Sequence, residues 1–194
     1  MTRIVSGLWK GRTLRTPAGS TTRPTAEKIR AALGNALQAA GVLEGAAVLD
    51  LYAGSGALGL ELLSRGAHSL VAVEKDRRAV DVLRSNVSAL IGDQDRQPGG
   101  ADPKTVEVIA GDAGSTVGRL VGRRFDVVVL DPPYDLPDAD LVGVLTGLAG
   151  LLVGGADVIL ERGVRSGEPH WPAPLEAVRT KRYGDTLLCY GRAP

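Results

Sequence analysis

The sequence of 194 residues predicts an α/β fold in which a doubly wound, mainly parallel sheet carries a small N-terminal extension. From residue 46 onward, short runs rich in Val, Leu and Ile alternate with helical segments, which is typical of a parallel sheet covered on both faces. A glycine-rich loop follows the first of these runs and opens a helix. The last two runs are joined through Gly184-Asp185, which predicts a closing hairpin.

The first forty residues precede the alternating pattern of strands and helices. Crude polar and apolar alternation with glycines at Gly7 and Gly11 predicts a short β-hairpin that ends near Pro17. Thr25 is the expected N-cap of a helix that ends at Gly41. Apolar residues recur on one face of that helix at Ile29, Ala32, Leu33, Ala36, Leu37 and Ala40. We therefore divide the chain into a basic extension over 1–24 and one larger domain over 25–194.

The remaining elements follow in alternation. Predicted strands cover 46–52, 69–75, 105–111, 125–131 and 157–162, with two hairpin strands at 174–184 and 185–191. Predicted helices cover 57–66, 77–90, a short segment near Val117, and 138–152. The Gly-, Pro- and Asp-rich stretch from Gln94 to Pro103 is expected to be a surface loop within the domain, not a linker.

Composition excludes several classes of protein. Apolar residues make up 44% and charged residues 23%, as in an ordinary soluble domain, and no apolar run reaches the roughly 18 residues of a membrane span. The N-terminus has no apolar core of a secretory signal. Cys189 is the single cysteine, and the histidines His68 and His170 lie far apart, so neither a disulfide nor a metal site is expected. A reducing, cytoplasmic location is the default expectation.

Charge is distributed unevenly along the chain. The first thirty residues hold seven basic residues and one acidic residue, a net +6 in a chain whose total is +1. A basic arm on a mildly acidic body suggests a polyanion bound at one end. A solvated, charge-rich N-terminus explains the same charge equally well.

The glycine-rich loop indicates a nucleotide-type ligand. It runs from Asp50 through Gly54, Gly56 and Gly59, and its glycines allow a tight turn and close approach of a ligand to the backbone. Glu74 lies 20 residues after Gly54 at the end of the next strand, where a carboxylate can accept from both ribose hydroxyls. That spacing fits NAD as well as S-adenosylmethionine.

Three details favour S-adenosylmethionine. The carboxylate of Asp50 can face a cationic methionine ammonium, whereas it would repel a pyrophosphate. Asp112 follows the third strand, where it can accept from an adenine amino group. The helix after the loop starts Ala-Leu-Gly-Leu, with no basic residue for a phosphate. The alternative is that Asp50 and Asp112 only cap turns.

The residues Asp131-Pro132-Pro133-Tyr134 follow the strand over 125–131 and carry the chemistry. The Asp131 side chain and the Pro132 carbonyl can accept the two hydrogens of an exocyclic amine, and the Tyr134 ring can stack on a base turned out of its helix. Such acceptors aim the nitrogen lone pair at a sulfonium methyl group and stabilise the positive charge that grows on nitrogen. Guanine N2 and adenine N6 are not distinguished, and a simple turn is the structural alternative.

The chain resembles the RsmD-type class I methyltransferases, which modify guanine N2 in small-subunit ribosomal RNA. The resemblance rests on RIVSGLWKGRTLRTP, TRPTAEKIRAALGNAL, DLYAGSGALGLELLSRGA, VAVEKD, GDA and DPPY, and it covers nearly the whole chain. It implies a Rossmann-like sheet of seven strands with the last one antiparallel, and catalysis at Asp131, Pro132, Pro133 and Tyr134. The S-adenosylmethionine site would comprise Asp50, Ala53, Gly54, Ser55, Gly56, Gly59, Glu74, Lys75, Asp112, Ala113 and Asp131.

The resemblance also gives the basic arm a role. It implies a monomer that acts on 16S rRNA, within the small subunit or an assembly intermediate, at one guanine of the guanine-966 type. The RNA phosphates would be contacted by Arg3, Lys10, Arg12 and Arg23. Trp9 can stack on a base but is expected to pack onto the body, and Arg162 can line the pocket but is expected to form a surface ion pair.

Three other functions stay open at this point. A DNA adenine or cytosine amino methyltransferase would use the same chemistry, although 194 residues leave little room for a target-recognition domain. A protein-glutamine methyltransferase conflicts with the basic arm. A non-catalytic RNA-binding module conflicts with the joint presence of the glycine loop, Glu74 and Asp131.

Overall fold

A computed structural model of the chain describes residues 2–17, 24–92 and 104–194. Arg23 and the loop from Gln94 to Pro103 lie outside these ranges. Within them, no helix is both long enough and apolar enough to cross a membrane.

The core of the protein is one seven-stranded mixed sheet. Its strands are β3 (Ala47–Leu51), β4 (Ser69–Glu74), β5 (Thr105–Ala110), β6 (Phe125–Leu130), β7 (Leu152–Gly163), β8 (Glu176–Tyr183) and β9 (Thr186–Arg192), in the spatial order β5-β4-β3-β6-β7-β9-β8. The first five are mutually parallel, and β9 runs antiparallel between β7 and β8. The prediction of seven strands with the last one antiparallel is confirmed.

Helices cover both faces of the sheet, as the apolar strands predict. They are α1 (Pro24–Ala39), α2 (Ala57–Ser64), α3 (Arg77–Ile91), α4 (Ala113–Val117) and α5 (Asp138–Leu148). Helices α1, α2 and α3 contribute to one apolar cluster, and α4 and α5 contribute to the other. Alternate residues of the central strands divide between the clusters, so that Val129 faces the first and Leu130 the second.

Two predicted boundaries are wrong. The helix α1 begins at Pro24, so Thr25 lies inside the first turn and is not its N-cap. A proline fits there because the first turn of a helix needs no N–H donor. The segment 138–152 is also not one helix, because α5 ends at Leu148 and a 3-10 turn over Ala149–Leu151 leads directly into β7 at Leu152.

The N-terminal arm (residues 2–17) packs on the main domain. Its strands β1 (Thr2–Arg3) and β2 (Thr13–Leu14) form the predicted antiparallel hairpin. Ile4, Trp9 and Leu14 are buried in the same apolar cluster as α1 and α2, which confirms that Trp9 packs onto the body.

A buried carboxylate on α2 holds this arm in place. Glu61 accepts from the backbone N–H groups of Val5 and Ser6 at 2.7 and 3.1 Å, and from Arg65 Nε at 2.6 Å. The side chains of Glu61 and Arg65 are 0% and 1% exposed. Because both charges are out of water, each depends on the other.

Candidate active site

The glycine loop between β3 and α2 contains three residues in the left-handed region. These are Tyr52 (φ 64°), Gly54 (φ 56°) and Gly56 (φ 79°). A Cβ atom on Gly54 would have no heavy atom within 4 Å, so the backbone there is open to a ligand. A Cβ atom on Gly56 would collide with Leu83, so this glycine allows the loop to pack closely against α3 and does not open the backbone to a ligand.

Asp50 lies under this loop, 2% exposed. Its Oδ2 accepts from the Gly59 N–H at 2.9 Å, and burial raises its pKa to about 7. The negative charges of Asp131 and Glu74 act in the same direction. No basic side chain of the described residues forms an ion pair with Asp50, so a cationic ligand is the natural partner for its charge.

Glu74 is fixed at the end of β4 by two backbone donors. Its Oε2 accepts from the Gly54 N–H and its Oε1 from the Asp76 N–H, both at 2.8 Å. Each carboxylate oxygen keeps a second acceptor position. Glu74 is therefore oriented beside the loop and retains capacity for ligand hydroxyls, while its neighbour Lys75 is exposed.

Asp112 and Ala113 stand one strand further along the sheet edge. The exposed Asp112 is the N-cap of α4 and accepts from the Ser115 N–H at 3.1 Å, whereas Ala113 is buried below it. Asp112 therefore does cap a turn, as the alternative interpretation of this residue predicts. Neither residue lines the cavity that contains Asp50.

A cavity of about 280 Å³ opens between the sheet edge and α1. It brings together five predicted site residues: Asp50, Ala53, Gly54, Ser55 and Asp131. The opposite wall is the apolar face of α1, with Ala26, Ile29 and Leu33. The carboxylate of Asp131 is open to this space, yet protein around it raises its pKa by desolvation.

The rest of the motif lines a small adjoining pocket. Pro132, Pro133 and Tyr134 lie there with Arg162 and Glu161. Tyr134 is 56% exposed, which leaves ring surface free for stacking. Arg162 Nη2 donates to Asp138 Oδ1 at 2.7 Å, so the expected ion pair is present, although Arg162 itself is buried.

Three ionisable residues that line the cavity were not predicted as site residues. Tyr52 lines it from the loop, and burial raises its pKa to about 12. Arg30 lines it from α1 and donates to the Arg3 carbonyl at 2.9 Å, which ties the arm to the cavity wall. Glu161 belongs to both the cavity and the adjoining pocket. Glu161 could have been found from the sequence, because it directly follows an apolar run, as Asp131 does. The roles of Tyr52 and Arg30 depend on packing and leave no such pattern.

The basic residues of the arm lie near the cavity without lining it. Arg3, Lys10 and Arg12 are exposed, and Arg12 Nη2 donates to the carbonyl of Ala89 near the end of α3. Asn86 Nδ2 of α3 donates to the Ser55 carbonyl of the glycine loop at 2.9 Å, and Ala89 lies one helical turn further along. Neither Lys10 nor Arg12 lines the cavity, and Arg23 lies outside the described residues.

A pH-dependent stability is expected from Asp50. Its folded pKa lies above that of an unfolded aspartate, so folded protein loses stability as pH rises from about 4 to about 7. Asp50→Asn keeps an acceptor for Gly59 and removes this cost. We expect a melting temperature about 2 °C or more above that of the unchanged protein at pH 8, with a smaller gain at pH 5.

Differential scanning fluorimetry from pH 4 to pH 8 measures this effect. Asp112→Asn, which alters an exposed carboxylate, controls for loss of one negative charge. A melting temperature of Asp50→Asn that is below that of the unchanged protein at pH 8 would show that the Asp50 charge is compensated.

This chain is similar to a known protein family over almost its whole length. The family described as "Conserved hypothetical protein 95" matches residues 2–192. "Ribosomal RNA small subunit methyltransferase D" of Escherichia coli (strain K12) is 34% identical over 182 residues, which cover 94% of this chain and 85% of that protein. The chain belongs to the RsmD-type methyltransferase family. The resemblance first seen in its motifs is thereby confirmed.

Solved structures share the fold of this chain. A hypothetical protein of Thermus thermophilus is 30% identical, with a TM-score of 0.75 and coverage of 98% of both chains. Magnesium protoporphyrin IX methyltransferase of Synechocystis PCC 6803, solved with bound S-adenosylmethionine, is 15% identical with a TM-score of 0.66, over 91% of this chain and 87% of that one. That likeness concerns the fold, which is the class I methyltransferase fold.

S-adenosylmethionine is the cofactor of this class of enzyme. The residues present fit it, because the open backbone at Gly54 admits a ligand, and a cationic ligand would stabilise the charge of the buried Asp50, whose protein donor is the Gly59 N–H. Among the described residues, no group of three or more His, Cys, Asp or Glu side chains is placed to hold a metal ion.

Proposed function

We propose that this protein methylates the exocyclic N2 amino group of one guanine in 16S rRNA, of the guanine-966 type. The observation that carries the proposal is the carboxylate of Asp131, which faces a cavity shared with the glycine loop. The similarity to ribosomal RNA small subunit methyltransferase D supports the choice of RNA as substrate.

The proposed roles follow the sheet edge. Gly54, Ser55 and Ala53 would hold the methionine part of S-adenosylmethionine, with Asp50 facing its ammonium group. Its adenosine part would lie along Glu74 and Lys75 towards Asp112 and Ala113, while Gly56 and Gly59 keep the loop in shape. When bound there, S-adenosylmethionine supplies an electrophilic methyl group next to Asp131.

The target amine would be held by the motif after β6. Asp131 accepts one N2 hydrogen and the Pro132 carbonyl the other, which directs the nitrogen lone pair into the cavity. Pro133 stiffens the turn, and Tyr134 stacks on the base. As positive charge develops on nitrogen, the carboxylate of Asp131 stabilises it.

Radiolabelled methyl transfer tests the proposed function. Unmodified 16S rRNA, small subunits that lack the modification, and plasmid DNA are offered in parallel. We expect label in the RNA of the subunits or in free 16S rRNA, and none in DNA. Label in DNA alone would contradict the proposal.

We also propose that residues 1–24 act as an extension that positions RNA on the domain 25–194. Because Arg3, Lys10 and Arg12 are exposed and do not line the cavity, they would contact phosphates that flank the target nucleotide. Replacing both Lys10 and Arg12 by Gln should weaken RNA binding several-fold and reduce the slope of log affinity against log salt by roughly 1 to 2.

Fluorescence anisotropy with 16S rRNA fragments over a salt series measures this slope. Arg119→Gln, an exposed charge on the opposite face of the sheet, is the matched control. An unchanged affinity and an unchanged slope would leave the arm as solvated surface.

A further inference from the structure

Glu161 and Asp131 occupy equivalent positions on neighbouring parallel strands. Leu130 of β6 pairs with Leu160 of β7, and each carboxylate follows directly after its leucine. Residues in register on adjacent strands point to the same face, with strands about 4.8 Å apart. Both carboxylates therefore face the cavity under α1, and both line it.

Among residues 2–17, 24–92 and 104–194, neither the Glu161 nor the Asp131 side chain makes a hydrogen bond or an ion pair. The cation that follows in sequence, Arg162, points to the other face and pairs with Asp138. Burial raises the pKa of Glu161, and the charge of Asp131 raises it further. Asp131 is exposed and Glu161 is partly exposed, so both carboxylates are open to the donors of a ligand that binds beside Ile159 and Leu188.

The position of Glu161 indicates that its ligand is the target base and not the methyl donor. Asp50, under the glycine loop, lies two strands away on β3, about 10 Å across the sheet. Glu161 lies on the other side of Asp131 and also lines the pocket of Tyr134. A base stacked on Tyr134 would present its edge to Asp131 and Glu161 together.

We propose that Glu161 determines the base specificity of the enzyme by accepting the N1–H of the target guanine while Asp131 accepts from its N2 amine. This inference rests on the proposed function and names the ring edge that is read. Guanine carries two N–H donors side by side at N1 and N2. Adenine and cytosine carry a ring-nitrogen acceptor next to their amino group, and a carboxylate there would repel it. A cationic methyl donor nearby favours the ionised form of both carboxylates.

An atomic substitution in the RNA tests the pairing. The substrates are small subunits reassembled with 16S rRNA that carries guanine or 2-aminopurine at the nucleotide methylated by the unchanged enzyme. 2-Aminopurine keeps the N2 amine and lacks the N1–H. The unchanged enzyme should prefer guanine by about 10-fold to 100-fold in kcat/KM. Glu161→Ala should lower kcat/KM for guanine and raise it for 2-aminopurine, whose N1 acceptor then no longer faces a carboxylate. The two values should become about equal, with Glu161→Gln intermediate.

The preference for guanine over 2-aminopurine in kcat/KM is compared between the unchanged enzyme and Glu161→Ala. This comparison isolates the contact with Glu161, because the intrinsic reactivity of each base cancels. An equal loss on both substrates in Glu161→Ala would overturn the inference. Calorimetry with S-adenosylhomocysteine should give the same affinity for Glu161→Ala as for the unchanged protein, and a tenfold loss would place Glu161 in the donor site and overturn it as well. Methylation of plasmid DNA alone by the unchanged enzyme would instead contradict the proposed function.

Discussion

Replacing Asp131 by Asn is expected to lower the rate of methyl transfer to RNA by about 100-fold to 1000-fold, the usual loss when one charge-stabilising group is removed. The carboxylate is the acceptor placed where positive charge grows on the amine. The amide that replaces it can still accept one hydrogen through its carbonyl oxygen, but it is neutral and does not balance the positive charge. Single-turnover transfer of radiolabelled methyl groups to small subunits measures the effect.

The defect of Asp131→Asn should lie in chemistry. Calorimetry with S-adenosylhomocysteine should show an affinity within a few-fold of the unchanged protein, since Asp50, Gly54 and Glu74 stay in place. Asp135→Asn, an exposed neighbour on the same loop, is the matched control and should keep full activity. Near-normal turnover by Asp131→Asn would contradict the proposed role of this carboxylate.

The largest effect on stability is expected at Glu61. Glu61→Ala removes the acceptor of two backbone N–H groups of the arm and leaves Arg65 buried without its counter-charge. Loss of one partner of a buried pair costs about 3 to 5 kcal/mol, so the free energy of unfolding should fall by that amount. Urea denaturation followed by circular dichroism measures it.

An exposed ion pair with the same N···O distance provides the control. Arg123 and Glu107 approach to 2.6 Å, as Arg65 and Glu61 do, but both side chains are nearly half exposed. Glu107→Ala should therefore change the free energy of unfolding by less than about 1 kcal/mol. Equal losses in Glu61→Ala and Glu107→Ala would show that burial does not set the strength of these pairs.

Much of the fold was predictable because β3, β4, β5 and β6 are short runs rich in apolar residues, and each is followed by a helix. The boundaries that failed depend on context. Pro24 starts α1 because a first turn needs no N–H donor. The strand β7 begins at Leu152, earlier than the apolar run over 157–162 suggests, because Phe125 of β6 pairs with Leu152 across a register irregularity. Sequence patterns carry no sign of such a pairing.

The candidate site was predicted in part. Five of the predicted residues line the cavity, since the carboxyl ends of β3 and β6 meet at one sheet edge. The wall formed by α1 was missed, because the pattern at Ile29 and Leu33 shows a buried face without saying what it faces. Glu161 was missed because it lies inside β7, paired with Leu188 of β9, and no turn motif such as Asp131-Pro132-Pro133-Tyr134 marks it in the sequence.

Nucleoside mass spectrometry of the methylated RNA tests the central claim most directly. Small subunits that lack the modification are incubated with this protein and S-adenosylmethionine, and their 16S rRNA is digested to nucleosides. The account predicts N2-methylguanosine as the product, absent when Asp131→Asn replaces the unchanged protein. N6-methyladenosine, or a methylated cytosine, in place of N2-methylguanosine would contradict it.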